Sequence, residues 1–342
     1  GRDVIIGKTS PGEIPLISHQ NTENGVTRRI EHISNRRIFH YEETISLADR
    51  GVFYATTQNE DFHIGTRVKA LVFKDGKKSE NVRLFFSSAI NKLQILFTDY
   101  SSNATDKLPK FKIQLPVLNG QIDYNFMESF IEELEAERIE ELEAYLSVSG
   151  LKDTQLTADE LSVVNDLISK NIEFKPFCYD VIFDKIVQGR RLKKDDQIAG
   201  DIPFVMAGVT NTGVVGYISN PVASFPKNSI TIDIFGNAFY RNYDFGAGDD
   251  TGVYWSEKSD YSKEIMLFLT CSMGKSIENK FSYGKKLRSS QSFKFKMQLP
   301  VKNEQPDYEL MSTLISAMQK LVIADVVKFS DEKIKATKQV VG

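Results

Sequence analysis

Residues 111–131 read FKIQLPVLNGQIDYNFMESFI, and residues 295–315 read FKMQLPVKNEQPDYELMSTLI. Twelve of these 21 positions are identical at a constant offset of 184 residues. Solenoid repeats have periods of roughly 20–50 residues, so a period of this length does not fit a solenoid. The match therefore indicates a duplicated domain.

The duplication continues upstream of this motif. GEIP at residues 12–15 recurs as GDIP at residues 200–203, an offset of 188 residues. ISLADRG at residues 45–51 recurs loosely at residues 230–236, at an offset of 185. A drifting offset indicates small loop insertions on a shared framework.

The two copies differ at their beginning. The second copy opens with FCYDVIFDKI at residues 177–186, and at the same offset its counterpart would precede residue 1. We therefore expect the first copy to lack this N-terminal strand, either because the chain is part of a longer one or because the strand has diverged.

Short runs typical of strands fill both copies, and Gly, Asn and Pro separate them. The predicted strands are 14–18, 52–55, 68–73 and 93–97 in the first copy, and 204–207, 229–235, 265–270 and 293–299 in the second. Asp123 and Asp307 are placed to cap a long helix after each copy. A shorter helix is predicted over residues 159–170.

These patterns predict a mixed α/β (α+β) fold. It has two homologous strand-rich globular domains, each followed by a long helix, and the two helices pack antiparallel as a coiled-coil-like spacer. The apolar face of the first helix is predicted to contain Met127, Phe130, Ile131, Leu134, Ile139, Leu142, Tyr145 and Leu146. The predicted boundaries are 1–118 and 175–301 for the globular domains, 121–150 and 305–329 for the long helices, 151–174 for a helical connector and 330–342 for a tail.

Charge is distributed unevenly along the chain. The net charge is −3, but residues 121–150 alone carry −8, which leaves +5 for the rest. Residues 271–300 hold seven bases against one acid. Basic surface of the kind that contacts phosphates is therefore expected on the globular domains, while the acidic helix would stay away from a nucleic acid.

Several catalytic classes lack their motifs in this sequence. No Pro-Pro pair occurs, although an adenine methyltransferase uses one to hold its flipped base. FGAGDD at residues 245–250 is better interpreted as a hairpin turn than as a cofactor loop. We find no carboxylate cluster for Mg²⁺, no Walker loop and no zinc-type spacing among four histidines and two cysteines. We predict no catalytic residue, metal ligand or cofactor on this chain.

The repeated body, Leu-Pro motif and long helix together resemble the specificity subunit of Type I restriction–modification systems. LPVLNGQIDYNFMESFIEELEAERIEELEAYL and GDIPFVMAGVTNTGVVGYI look most like the compact specificity subunits of Type IIB and related systems. The resemblance covers nearly all of the chain up to about Phe329. It implies two target-recognition domains that read a bipartite target in double-stranded DNA, and helices that set the gap between the half-sites.

The resemblance also implies partners. Methyltransferase subunits would dock on the long helices and carry S-adenosylmethionine, and a restriction subunit with its Mg²⁺ is a further expected partner. We expect a cytoplasmic, nucleoid-associated protein without a membrane partner. Two alternatives stay open, namely a recognition module of a single-chain restriction–methyltransferase enzyme and a helical interaction scaffold that does not bind DNA.

Candidate DNA contacts are side chains that pair with base edges or phosphates and lie in polar or basic loops. In the first domain they are His19, Gln20, Asn21, Asn24, Arg28, Arg29, Lys107 and Lys110. In the second they are Arg190, Arg191, Thr210, Asn211, Thr212, Tyr240, Arg241, Lys275, Tyr283, Lys285, Lys286 and Arg288. The polar run in the first copy and Thr210-Asn211-Thr212 lie at matching places in the repeat.

Overall fold

The computed structural model describes residue 4 and residues 6–49, 52–97, 107–222 and 224–341, with side chains up to residue 335. It divides into two units. The first unit comprises Gly1–Ala144 with Lys333–Gly342, and the second comprises Tyr145–Glu332. The mixed helix and strand content in two domain-like regions agrees with the predicted fold class.

The first unit contains short strands, one core helix and most of a long helix. Its elements are β1 (Pro11–Ile17), β2 (Val26–Ile30), β3 (Thr44–Asp49), β4 (Phe53–Thr56), β5 (His63–Ile64), β6 (Val68–Val72), α1 (Glu80–Asn91), β7 (Val117–Leu118), β8 (Gln121–Ile122) and α2 (Tyr124–Val148). One sheet has the order β2-β1-β5 and another has the order β4-β3-β6. Strand β3 is buried along its whole length, and α1 packs over its neighbour β4.

The second unit repeats this plan with additional strands. Its elements are α3 (Ala158–Ile168), β9 (Phe174–Cys178), α4 (Tyr179–Ile182), β10 (Lys185–Gln188), β11 (Ala199–Val205), β12 (Val214–Ile218), β13 (Ser224–Phe225), β14 (Ser229–Asp233), β15 (Ala238–Arg241), β16 (Phe245–Ala247), β17 (Thr251–Trp255), α5 (Lys263–Ile277), α6 (Ser289–Ser292), β18 (Lys296–Lys302), β19 (Gln305–Pro306) and α7 (Tyr308–Val341). The sheets have the orders β12-β11-β16-β13, β10-β17-β14-β15 and β19-β18-β9.

The same irregularity in both units explains the repeated Gly-acid-Ile-Pro motif. The β1–β2 ladder shifts register between Pro11 and Ile14, and the β11–β12 ladder shifts between Ala199 and Ile202. A Cβ atom on the intervening glycine would meet backbone at 2.4 Å in the first unit and 2.5 Å in the second. Only glycine allows this close approach at the bulge, so the motif recurs.

The two units differ where the first copy was predicted to lack a strand. Residues 296–300 pair with β9 in the second unit, whereas the matching residues 112–116 form no strand within the described part of the first unit. Met297 and Leu299 are fully buried, but their counterparts Ile113 and Leu115 are only half-buried. The first unit therefore has the smaller core.

Two predicted strands are wrong because their apolar residues belong to helical turns. Residues 265–270 lie within α5, whose buried side chains Met266, Leu269 and Met273 have helical spacing. Residues 93–96 lie in a 3₁₀ turn at Lys92–Leu96, and Phe97 comes directly after it. The turn follows α1, a helix we did not predict. Serine caps both core helices, since Ser79 accepts from the Val82 amide and Ser262 from the Ile265 amide.

The predicted helix caps are confirmed. Asp123 accepts from the Phe126 amide at 2.9 Å, and Asp307 accepts from the Leu310 amide at 3.0 Å. The predicted end of the second long helix at residue 329 is wrong, because α7 continues to Val341 through most of the predicted tail. No Pro or Gly interrupts this stretch of helix-favouring residues, so nothing stops the helix there.

The predicted apolar face of α2 is only partly buried. Met127, Ile131 and Leu146 are buried, whereas Phe130 and Tyr145 are exposed. Antiparallel packing of the two long helices stays a prediction. Within the first unit, Lys333 near the end of α7 lies 3.7 Å from Glu135 of α2.

By length and composition alone, residues 308–335 of α7 would pass as a membrane span, because an 18-residue window within them has a mean hydropathy of 1.5. A core helix passes the same test, so this is weak evidence for a membrane. Met311 and Ala317 of the helix are buried in the second unit, and Lys320 forms ion pairs there.

A buried carboxylate fastens α3 to α7. Glu160 accepts from the Ser316 hydroxyl at 2.6 Å, and from the Thr157 amide and Lys320 Nζ at 2.8 and 2.9 Å. These contacts, chiefly that of Ser316, lower the pKa of the Glu160 carboxyl to about 2. The unfolded pKa is about 4.3, so the stabilisation is present above that pH and is lost as pH falls towards 2.

We expect Glu160→Ala to lower the free energy of unfolding of the second unit by about 1–3 kcal/mol at pH 7. The reason is that Ser316, Lys320 and the Thr157 amide lose the buried carboxylate to which they donate. The deficit should shrink as pH falls from 5 towards 2. Urea unfolding followed by the fluorescence of Trp255, the only tryptophan in the chain, measures it. Asp159→Ala, at the exposed neighbouring position, is the control. A deficit that does not depend on pH would contradict the assigned role of the charge.

Candidate nucleic-acid interface

A basic segment of the second unit is fixed by its backbone and exposes its side chains. The Gly189 amide donates to Thr251 O and the Arg190 amide donates to Ala247 O, both at 2.9 Å. A Cβ atom at Gly189 would lie 2.2 Å from Gly248 O, so only glycine fits. The chain then leaves the sheet, and Arg190 and the basic residues after it are solvent-exposed.

This segment borders an open cleft of about 660 Å³. The cleft is lined by Arg191, Leu192, Lys193, Lys194, Gln197, Met206, Val215 and Asp249. Three of the lining residues are basic, and one, Asp249, is acidic. Lys193 and Lys194 were not among our predicted contacts, although the run RRLKK at residues 190–194 carries the signal.

A second basic turn is tied to the same cleft. Arg288 donates to the Asp249 carbonyl oxygen at 2.5 Å, so one of its guanidinium donors is used within the unit. In the turn before it, Lys286 Nζ lies 4.6 Å from the ring centre of Tyr283. Tyr283 is 81% exposed, so its ring is available to stack on a base or a sugar. Lys285 is exposed beside it.

The first hairpin of each unit ends in the same kind of loop. In the second unit, Met206 N donates to Gly213 O at 2.9 Å, and in the first, Ser18 N donates to Gly25 O at 2.9 Å. Loop 210–213 presents exposed Thr210, Asn211 and Thr212. Their contact with DNA stays a prediction. Met206 and Val215, which flank this loop, line the basic cleft, so the loop lies beside it.

The prediction that Arg241 contacts DNA is wrong. Its side chain is 1% exposed and is the largest fully buried side chain in the described residues. Its guanidinium donates to Thr231 Oγ1, Thr212 Oγ1 and Tyr243 OH at 3.0–3.1 Å, and to Thr212 O at 2.5 Å. The sequence shows Arg241 between two aromatic residues but not that it points inward.

Several other predicted contacts are engaged inside their own unit. Tyr240 is half-buried and donates to Asn228 Oδ1 at 3.1 Å. Arg29 forms an ion pair with Glu60, which raises the pKa of Arg29 and lowers the pKa of Glu60. Arg28 donates to Ile6 O at 3.0 Å. Each of these side chains therefore has part of its hydrogen-bonding capacity used inside the unit, and their contact with DNA stays a prediction.

The polar run of the first unit is likewise partly committed. Gln20 donates to Val26 O at 3.1 Å, and Asn24 donates to Thr57 O at 2.5 Å. His19 and Asn21 are exposed beside them. Lys107 and Lys110 are exposed at a 3₁₀ turn, and Lys275 pairs with Glu278 on α5. The roles of these side chains stay predictions.

Within the described ranges, no group of three or more His, Cys, Asp or Glu side chains is arranged to hold a metal ion. Asp249 and Asp250, the acids of the predicted hairpin turn, lie next to strand β17. Residues 249–250 form a turn between β16 and β17. The predicted hairpin is wrong, because these two strands belong to different sheets and do not pair with each other.

Known proteins match this chain over most of its length. The family model "Type I restriction modification DNA specificity domain" matches residues 7–144 and 171–326. The chain is 26% identical over 335 residues to "Type II restriction enzyme BgcI specificity subunit S.BcgI" of Heyndrickxia coagulans, covering 94% of this chain and 93% of the relative. Its fold is similar to the crystal structure of a Type-I restriction-modification system S subunit from M. genitalium. That match has a TM-score of 0.61 and 15% identity, and it covers 99% of this chain and 90% of the other.

Proposed function

The chain belongs to the family of Type I restriction modification DNA specificity domains and is a DNA specificity subunit of a restriction–modification system, and we propose that its two units read the two halves of a split site in double-stranded DNA. The observation that carries this proposal is the repeated hairpin loop on a shared scaffold with different exposed side chains. Glu23-Asn24 of the first unit stands where the second has Asn211-Thr212. Two loops with the same backbone and different exposed side chains would recognise two different half-site sequences.

In the second unit, the basic cleft would contact the phosphates. Arg190, Arg191, Lys193 and Lys194 leave an anchored backbone and are exposed, so they would position the duplex without reading its sequence. Loop 210–213 lies beside the cleft and would then face the base edges. Within one unit, the residues that would hold the duplex by its phosphates are thus different from the residues that would read its sequence.

The long helices would dock methyltransferase subunits. Phe126 and Phe130 of α2 are 48% and 44% exposed, and Leu321 and Val322 of α7 are 47% and 76% exposed. Apolar side chains exposed along a helix are typical of a surface that a protein partner covers. A restriction subunit would join the same complex.

Chemistry would reside on those partners. We place S-adenosylmethionine on the methyltransferase and Mg²⁺ on the cleaving subunit, and we assign this chain no catalytic residue. We place the assembled complex in the cytoplasm, on the nucleoid. The comparisons do not favour the two alternatives left open by the sequence, a module of a single-chain enzyme and a scaffold that does not bind DNA.

Binding to a pool of random-sequence duplexes tests the proposal. We expect the logarithm of the affinity to fall linearly with the logarithm of the salt concentration, because phosphate contacts release counterions. Successive rounds of selection should then enrich defined sequences. Binding that is flat across salt, with no enrichment of any sequence, would rule out the proposed function and favour the scaffold.

A further inference from the structure

Both units contain the same strained backbone at the end of their first hairpin. The φ angles of Glu23 and Asn24 are 47° and 50°, and those of Asn211 and Thr212 are 47° and 51°. Positive φ is uncommon for residues other than glycine, and for β-branched Thr212 it is a genuine outlier. Such strain persists only where the surroundings enforce it, and it concentrates at functional sites.

In the second unit, the enforcing group is the buried Arg241 guanidinium. It donates two hydrogen bonds to Thr212, to the carbonyl oxygen at 2.5 Å and to Oγ1 at 3.0 Å. Among the described residues, no carboxylate is hydrogen-bonded to Arg241. Burying a cation without a counter-ion is costly, and burial indeed lowers the pKa of Arg241. The free-energy cost of burying Arg241 is thus associated with hydrogen bonds that fix the shape of loop 210–213.

The first unit holds its matching loop with different side chains. Gln58 is 5% exposed and donates to Asn24 O at 2.9 Å, while Asn24 donates to Thr57 O at 2.5 Å. The loop has the same φ angles as its counterpart to within a few degrees. The backbone shape is therefore shared by the two units, although the residues that impose it and the residues that it presents are not.

We infer that loops 22–25 and 210–213 are the specificity-determining loops of the two units, with Glu23 and Asn211 as base readers and Gln58 and Arg241 as positioning residues. The inference rests on the proposed function. The side chains of Glu23 and Asn211 are both exposed at the same place in the loop. A carboxamide pairs with adenine and a carboxylate accepts from the cytosine amino group. The second half-site therefore contains an adenine read by Asn211, and the first a cytosine read by Glu23.

Arg241→Lys tests the positioning role, because it keeps the charge and removes the guanidinium geometry. The probes are the selected bipartite duplex and versions with either half-site scrambled. We expect discrimination at the second half-site to fall by at least about tenfold, the loss of one good base contact. Discrimination at the first half-site and the salt dependence should not change. Gln58→Ala is the matched variant and should show the reverse pattern.

Thr212→Gly gives a second test that does not depend on the stability of the Arg241 variant. Glycine adopts φ 51° without strain, so this variant keeps the fold. It retains the carbonyl oxygen that accepts from Arg241 but loses Oγ1, and glycine leaves the loop backbone free to adopt other conformations. It should also lose discrimination at the second half-site alone. Unchanged discrimination in either variant, or equal losses at both half-sites, would overturn the inference.

The base assignment has its own test. Asn211→Ala should abolish the preference for adenine at one base pair, and Glu23→Ala should abolish a preference for cytosine in the other half-site. Failure of the wild-type chain to distinguish any scrambled duplex would refute the proposed function itself. Discrimination by the wild-type chain that these variants leave intact would refute only the assignment of the loops.

Discussion

Replacing Arg190, Arg191, Lys193 and Lys194 together by glutamine is expected to weaken DNA binding by on the order of 10²–10³-fold at physiological salt. All four side chains are exposed, and the backbone beneath them is anchored independently by Gly189 and Arg190, so the fold should persist. Loss of four phosphate contacts should also reduce the slope of log affinity against log salt by about 3–4. Fluorescence anisotropy with a labelled duplex across a salt series measures both quantities.

The control for this variant removes cations from another part of the second unit. Lys258, Lys263 and Lys296 are exposed and lie outside the cleft. Their joint replacement by glutamine should cost little affinity and leave the salt dependence nearly unchanged. Equal losses in the two variants would mean that net charge, and not the cleft, attracts DNA. If the cleft variant kept the wild-type affinity and the wild-type slope of log affinity against log salt, the cleft would not be part of the DNA interface.

Lengthening both long helices by seven residues is expected to change the gap between the half-sites and leave the half-sites themselves unaltered. Both α2 and α7 pass from one unit into the other, at residues 144–145 and 332–333. Seven residues add about 10 Å of helix, close to the rise of three base pairs of DNA. A heptad also nearly preserves the helical face that each side chain occupies.

We would insert one heptad after Glu140 of α2 and a matching heptad after Asp325 of α7. Affinity for the original spacing should fall by roughly 10²-fold, because only one unit at a time can engage its half-site. Affinity should recover on a duplex whose gap is longer by about three base pairs. The same heptad inserted after Gly76, in a turn of the first unit, is the control and should leave the preferred gap unchanged. Altered half-sites with an unaltered gap would contradict the role of the helices as a spacer.

The sequence predicted those parts of the fold that depend on local signals. Asp123 and Asp307 cap helices because a carboxylate just before a helical run accepts from an unpaired backbone amide of the first turn. The duplicated Leu-Pro motif revealed two domains because both copies retain it. The strand predicted at residues 265–270 is wrong because a short apolar run does not distinguish a buried strand from a buried helix.

The candidate interface was less predictable, because it depends on which way side chains point. Arg241 and Arg190 look equivalent in the sequence, yet one is buried and the other exposed. The backbone strain at Glu23 and Thr212 leaves no sequence signal beyond the glycine that ends each loop. The side chains of Gln58 and Arg241 hold these loops through contacts between residues that are far apart in the sequence. No local sequence pattern predicts such contacts.

Selection from a randomised duplex library tests most directly whether two homologous units each read one half-site. The measurement compares the wild-type chain with the Asn211→Ala variant. We predict that the wild-type chain enriches two conserved blocks separated by a constant number of unspecified base pairs. The variant should lose sequence preference within one block, and it should keep the other block and the length of the gap unchanged. A single continuous block, or two blocks that weaken together in the variant, would contradict the account.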